Sequence, residues 1–141
     1  MPLIAALIAA VATFVVTLIL FLSNDLAKWK KGIPVDHGGK TVLRRLPLQL
    51  PSVVLFALYA QNWWAAPVAY IMISAFWWEF FDGIYNIRRN FHWRFNGSFN
   101  DPGHTDAWTD KLLKRMKPWQ QSVLKWGLIA ASTFVYILLI K

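Results

Sequence analysis

Cysteine is missing from the 141 residues. Disulfides, thiolate nucleophiles and cysteine-held metals are therefore excluded, and cysteine usage gives no clue to the compartment. Acid is scarce: seven Asp and Glu stand against 15 Lys and Arg, a formal net charge of +8. Histidine is limited to His37, His92 and His104. None of the three belongs to a His-x-x-x-His or His-Glu-x-x-His pair of the kind that places two ligands on one helix face.

What is abundant is apolar. Hydrophobic residues make up 57% of the chain, above the roughly 45–50% of soluble domains. The excess lies in long uncharged runs. Nine Trp, ten Phe and four Tyr accompany them. Trp and Tyr settle at membrane–water boundaries because one end of the ring is greasy and the other hydrogen-bonds. A basic balance can signal nucleic acid or anionic lipid. Beside runs this long it points to headgroups rather than nucleic acid.

The first run, Pro2 to Leu22, holds 21 residues without a charge. As a helix it is about 31 Å long, close to the roughly 30 Å hydrocarbon core. It lacks a basic start and exceeds a signal peptide's apolar segment, so a retained helix is expected, stopping at Ser23-Asn24-Asp25. The second run, Leu46 to Trp78, is 33 uncharged residues. One helix of that length reaches about 50 Å, too long for a bilayer. At its middle lies Gln61-Asn62-Trp63-Trp64-Ala65-Ala66-Pro67. Amides, boundary-seeking indoles and a proline there predict a turn between two spans. Pro47 and Pro51 then fall near the start of the first. The last span is Trp119 to Ile140, preceded by Pro118 at the helix start. Its Lys125 is expected to snorkel to the headgroups.

Charge sets the orientation. The segment 23–45 carries six basic residues and 79–118 carries seven. A hairpin at 61–66 brings both to one side. Counting Lys125, that side then holds 14 of the 15 cations, as the positive-inside rule requires. Tyr59, Trp63 and Trp64 would line the outer boundary, and Trp77, Trp78, Tyr85, Trp93 and Trp119 the inner one. The expected fold is an all-α membrane protein, one domain of four transmembrane helices at about 2–22, 46–60, 66–82 and 119–140. The expected location is an inner or plasma membrane, with both termini outside and basic loops cytoplasmic. Lys28, Lys30, Lys31, Arg44, Arg45, Arg88, Arg89, Lys111, Lys114 and Arg115 are the expected contacts to anionic headgroups. A short amphipathic interfacial helix is expected near 106–117, with acids early and bases late as the helix dipole favours.

Four constellations bear on chemistry. Glu79, Asp82, Asn86 and Arg89 recur at intervals of three and four, one side of a helix that continues span three. They could bind a cation or carry protons, or simply pair with Arg44, Arg45, Arg88 or Arg89. His37, His92 and His104 share the inner side with Asp101 and Asp106, a conceivable but poorly spaced metal set. Gly38-Gly39-Lys40-Thr41 is the tail of a phosphate loop without its upstream glycine or its strand. Asn96–Asp106 has alternating oxygens but lacks the glycine and glutamate of a calcium loop.

No cofactor motif or complete catalytic set emerges. The expectation is a non-enzymatic anchoring or assembly subunit that self-associates or joins a membrane complex. In size and span number the chain resembles phage holins, which implies a pore as the alternative. A third possibility is an enzyme acting on lipid headgroups at the cytoplasmic face through Glu79, Asp82, His92 or His104.

Overall fold

The structure, a computed structural model, describes residues 2–33, 39–93 and 115–140. Among them it is all-helical: α1 (Pro2–Lys30), α2 (Gly39–Ala60), α3 (Ala65–Arg88) and α4 (Pro118–Leu139). The doubling back at 61–66 is present. It has a local cause. Gln61 takes a left-handed φ of 51°, and Asn62 N–H reaches back to Ala57 O while Gln61 N–H bonds Leu58 O. These are the two bonds of a Schellman motif, which satisfies the carbonyls a helix end leaves open. Asn62 then serves both neighbours. Its Oδ1 accepts the Trp64 N–H at 3.1 Å, at the start of α3. Its Nδ2 donates to Leu139 O at 3.2 Å, at the end of α4.

The same device ends α1 and α3. Gly32 (φ 68°) follows α1, with Ile33 N–H to Lys28 O and Gly32 N–H to Trp29 O. Asn90 (φ 62°) follows α3, with Phe91 N–H to Asn86 O and Asn90 N–H to Ile87 O. α4 begins on Pro118, whose missing N–H costs nothing there. Gln120 Oε1 accepts the Lys117 N–H at 2.7 Å.

Three expected boundaries shift. α1 does not stop at Ser23-Asn24-Asp25 but runs on to Lys30, about one and a half turns further, with Asp25 turned into the bundle and buried. α2 starts at Gly39, so Pro47 and Pro51 lie inside it rather than near its start. Each proline removes one intrahelical bond, and the flanking turns carry the helix past it. Residues 115–117 form a turn and extended backbone, so a helix reaching Lys117 is not what they make; 106–114 lie outside the described residues.

α3 touches all three other helices and forms the centre of the bundle. At the hairpin end, Ala6, Ala60, Ala65 and Ala69 are fully buried and pack with Phe56 and Tyr136. Methyl side chains let the backbones approach closely. Tyr136 Oη donates to Phe56 O at 2.8 Å and fixes α4 to α2. At the other end, Trp77, Phe81 and Tyr85 stack in a column, with ring centroids 4.2 and 5.9 Å apart. Phe14, Leu18, Phe21, Leu22 and Leu26 of α1 close around it. α1 therefore runs from the hairpin end to the Tyr85 end, parallel to α3 and antiparallel to α2 and α4. Trp77 and Tyr85 are core residues, not the boundary residues expected, because they complete this column. Trp63, Trp64 and Trp119 are exposed.

The apolar surface faces outward. α1 and α4 are long and apolar enough to cross a membrane. Only 11% of the apolar stretch of α1 and 22% of that of α4 is buried, so most of both apolar faces is left uncovered by this chain. Polar side chains turn inward instead. Ser52 Oγ donates to Thr13 Oγ1 at 3.2 Å, Thr17 Oγ1 to Thr13 O at 2.6 Å, and Ser74 Oγ to Gln49 Oε1 at 3.4 Å.

Candidate functional site

The chemistry gathers where α3 leaves the apolar bundle. Glu79, Asp82, Asn86 and Arg89 do lie along one side of the helix, as their spacing predicts. They do not form one cluster. The structure divides them into two pairs, one directed to α4 and one to α1, with Trp93 touching both.

The first pair meets α4. Lys125 Nζ lies 2.7 Å from Asp82 Oδ2 and 3.7 Å from Glu79 Oε2. Lys125 and Glu79 are each only 5% exposed, whereas 37% of the Asp82 side chain is accessible. The ammonium also sits 4.7 Å from the centroid of the Trp78 ring, a cation–π contact. Snorkelling of Lys125 is thus overturned. Inside the bundle a close carboxylate and a ring face compensate the buried charge. Among the described residues the acids pair with Lys125 rather than with Arg88 or Arg89; the side chains of Arg44 and Arg45 lie outside the described residues. The other oxygen of Glu79 has its own donor: Trp93 Nε1 donates to Glu79 Oε1 at 3.2 Å.

The second pair turns towards α1. Arg89 Nη2 donates to Asn86 Oδ1 at 3.1 Å, and Asn86 Nδ2 to Trp93 O at 3.0 Å. The Arg89 guanidinium lies 4.3 Å from the Tyr85 ring centroid, 5.0 Å from Phe91 and 5.8 Å from Trp29. Arg89 is buried. Burial against three rings sets it apart from the exposed basic residues expected at headgroups.

Of the other expected residues, Lys30, Lys31, Arg88 and Arg115 are exposed and Lys28 is half-buried, all at this end of the bundle. Lys111 and Lys114, and the side chains of Arg44 and Arg45, lie outside the described residues. His92 is exposed. His37, His104, Asp101 and Asp106 lie outside the described residues. Among the described residues no three His, Asp or Glu side chains stand together as metal ligands. Gly39–Thr41 are helical, which is not a phosphate-cradling loop.

Trp93 has a role that its sequence position did not reveal. It docks on α3, through Glu79 and Asn86. Gly83 carried the available signal, since a glycine within a strong helix often marks close approach by another group. The chemical capacity of the arrangement follows from its geometry. Lys125 already occupies the position between two carboxylates that an incoming cation would take, and it fastens α4 to α3. No family model matches the chain, and neither a curated protein nor a solved structure shows significant similarity to it.

Proposed function

We propose that this chain is a four-span integral membrane protein that works as a non-catalytic anchoring or assembly subunit. Its termini and the 61–66 hairpin lie outside, and its basic end contacts anionic headgroups of the cytoplasmic leaflet. One observation carries the reading: the outward flanks of α1 and α4 are apolar, while polar side chains such as Thr17, Gln49, Ser52 and Glu79 are buried. Hydrocarbon is the solvent that stabilises such a surface, because water would have to cover the exposed flanks of α1 and α4. The antiparallel order supports four spans. The exposed Trp63 and Trp64 lie at one end, and Lys30, Lys31, Arg88, Arg115 and Lys117 at the other. That is the charge asymmetry of a membrane protein with its basic side in the cytoplasm.

A structural role is favoured over an enzymatic one because Glu79 and Asp82, the two acids first suspected of chemistry, are engaged by Lys125. The outer faces left by α1 and α4 are where further copies or a partner would bind in the membrane. Native mass measurement from a mild detergent tests the reading. A defined oligomer or a co-purifying membrane partner, together with vesicles that stay tight to a small dye, is the expected outcome. A monomer with no partner, or vesicles made leaky by the purified chain, would replace it with an isolated or a pore-forming protein.

A further inference from the structure

Beyond Asn90 the chain reverses, and residues 91–93 return along α3. Three contacts hold Trp93 there. Its indole N–H bonds Glu79 Oε1 at 3.2 Å. Its carbonyl accepts from Asn86 Nδ2 at 3.0 Å. Its ring meets Phe80 edge-on at 6.0 Å between centroids. The seat beneath the ring is Gly83: a Cβ at that position would overlap the Trp93 indole. Glycine inside a helix costs about 1 kcal/mol relative to alanine, and here it makes room for a flat ring that no other residue at 83 would admit.

The ring lies over charge. Glu79 and Lys125 are shut in, with Trp78 against the ammonium and Trp93 against the carboxylate, while Asp82 alone of the three looks outward. We propose that Trp93 is a latch: seated on Gly83, it closes the Glu79–Lys125 pair against water at the basic end of the bundle, and lifting it opens that pair. The latch belongs to the segment leading out of α3. Any force that draws this segment away from the helix therefore wets a charge pair that joins α3 to α4. The bonds holding it are few and at the bundle's end, where local opening needs least free energy.

The absence of cysteine provides the test. Ser122, buried on α4 one turn before Lys125, is replaced by Cys as a reporter and treated with a water-soluble thiol reagent in purified, detergent-solubilised full-length chain. Ser52→Cys, at a fully buried position mid-bundle, is the control reporter. Gly83→Ala changes neither the charges nor Trp93, yet it removes the seat. It should raise the Ser122→Cys labelling rate about tenfold or more, as loss of a local closing equilibrium does. Trp93→Ala should do the same, and the two together should do no more than either. Trp93→Phe, which keeps a ring for Gly83, should remain slow. Labelling of Gly83→Ala at the parent rate would overturn the latch. So would equal acceleration at Ser52→Cys, which would mean the whole bundle had loosened.

Discussion

Replacing Lys125 by Met keeps the length of the side chain and removes its charge. The ammonium lost is 2.7 Å from Asp82 and 3.7 Å from Glu79. Glu79 would be left buried with a single donor, the Trp93 indole. Removing one partner of a buried pair costs about 3–5 kcal/mol, most of it the penalty on the charge left behind. Asp82 is partly open to solvent and recovers some hydration, which places the expected loss near the lower end, about 3 kcal/mol. That is roughly a 150-fold shift towards the unfolded state at 1.4 kcal/mol per decade. The mechanism makes a sharper demand than the size. If the cost is the stranded carboxylate, Glu79→Gln in the Lys125→Met background should return at least ~1 kcal/mol, although each change alone destabilises. Reversible unfolding in mixed detergent, followed by helicity across this double-mutant cycle, measures both. A loss below ~0.5 kcal/mol for Lys125→Met, or no recovery with Glu79→Gln, would refute the buried charge pair as the link between α3 and α4.

Further expectations follow from other parts of the fold. Tyr136→Phe deletes the 2.8 Å bond to Phe56 O and should cost about 1 kcal/mol in the same unfolding assay. Gln61 holds a φ of 51°, so Gln61→Gly should stabilise by up to about 1 kcal/mol by relieving left-handed strain. Val16 lies half exposed at the midpoint of α1. Val16→Arg should disfavour membrane insertion by about 3 kcal/mol. In a water-soluble bundle it would instead leave folding intact and improve solubility, and fractionation of expressed chain separates the two.

How far the sequence reaches depends on whether a feature is set by local or distant chemistry. The turn at 61–66 was legible because bilayer thickness forbids a 33-residue helix, and amides, indoles and a proline coincide at its centre. The continuation of α3 was legible from the periodicity of Glu79, Asp82 and Asn86. The end of α1 was not taken from the right signal. Ser23-Asn24-Asp25 resemble a stop, yet a buried Asp is compatible with helix. Gly32 after Lys28, Lys30 and Lys31, with Pro34 following, is the true terminus pattern. Lys125 was misjudged because an amine at that depth has two outlets, the headgroups or a carboxylate. Its partner stands 43 residues away in the chain, beyond any local pattern. The seat of Trp93 on Gly83 is likewise a tertiary fit that no local pattern announces.

The account depends most on hydrocarbon covering the flanks of α1 and α4 while the bundle's two ends face opposite aqueous sides. Single cysteines at Trp63 and Lys31, both exposed and at opposite ends, measure this with a membrane-impermeant thiol reagent on intact cells. Trp63→Cys should react at once and Lys31→Cys only after the membrane is opened. Reaction of both from the outside, protection of Trp63→Cys in intact cells, or recovery of the chain in the soluble fraction would contradict it.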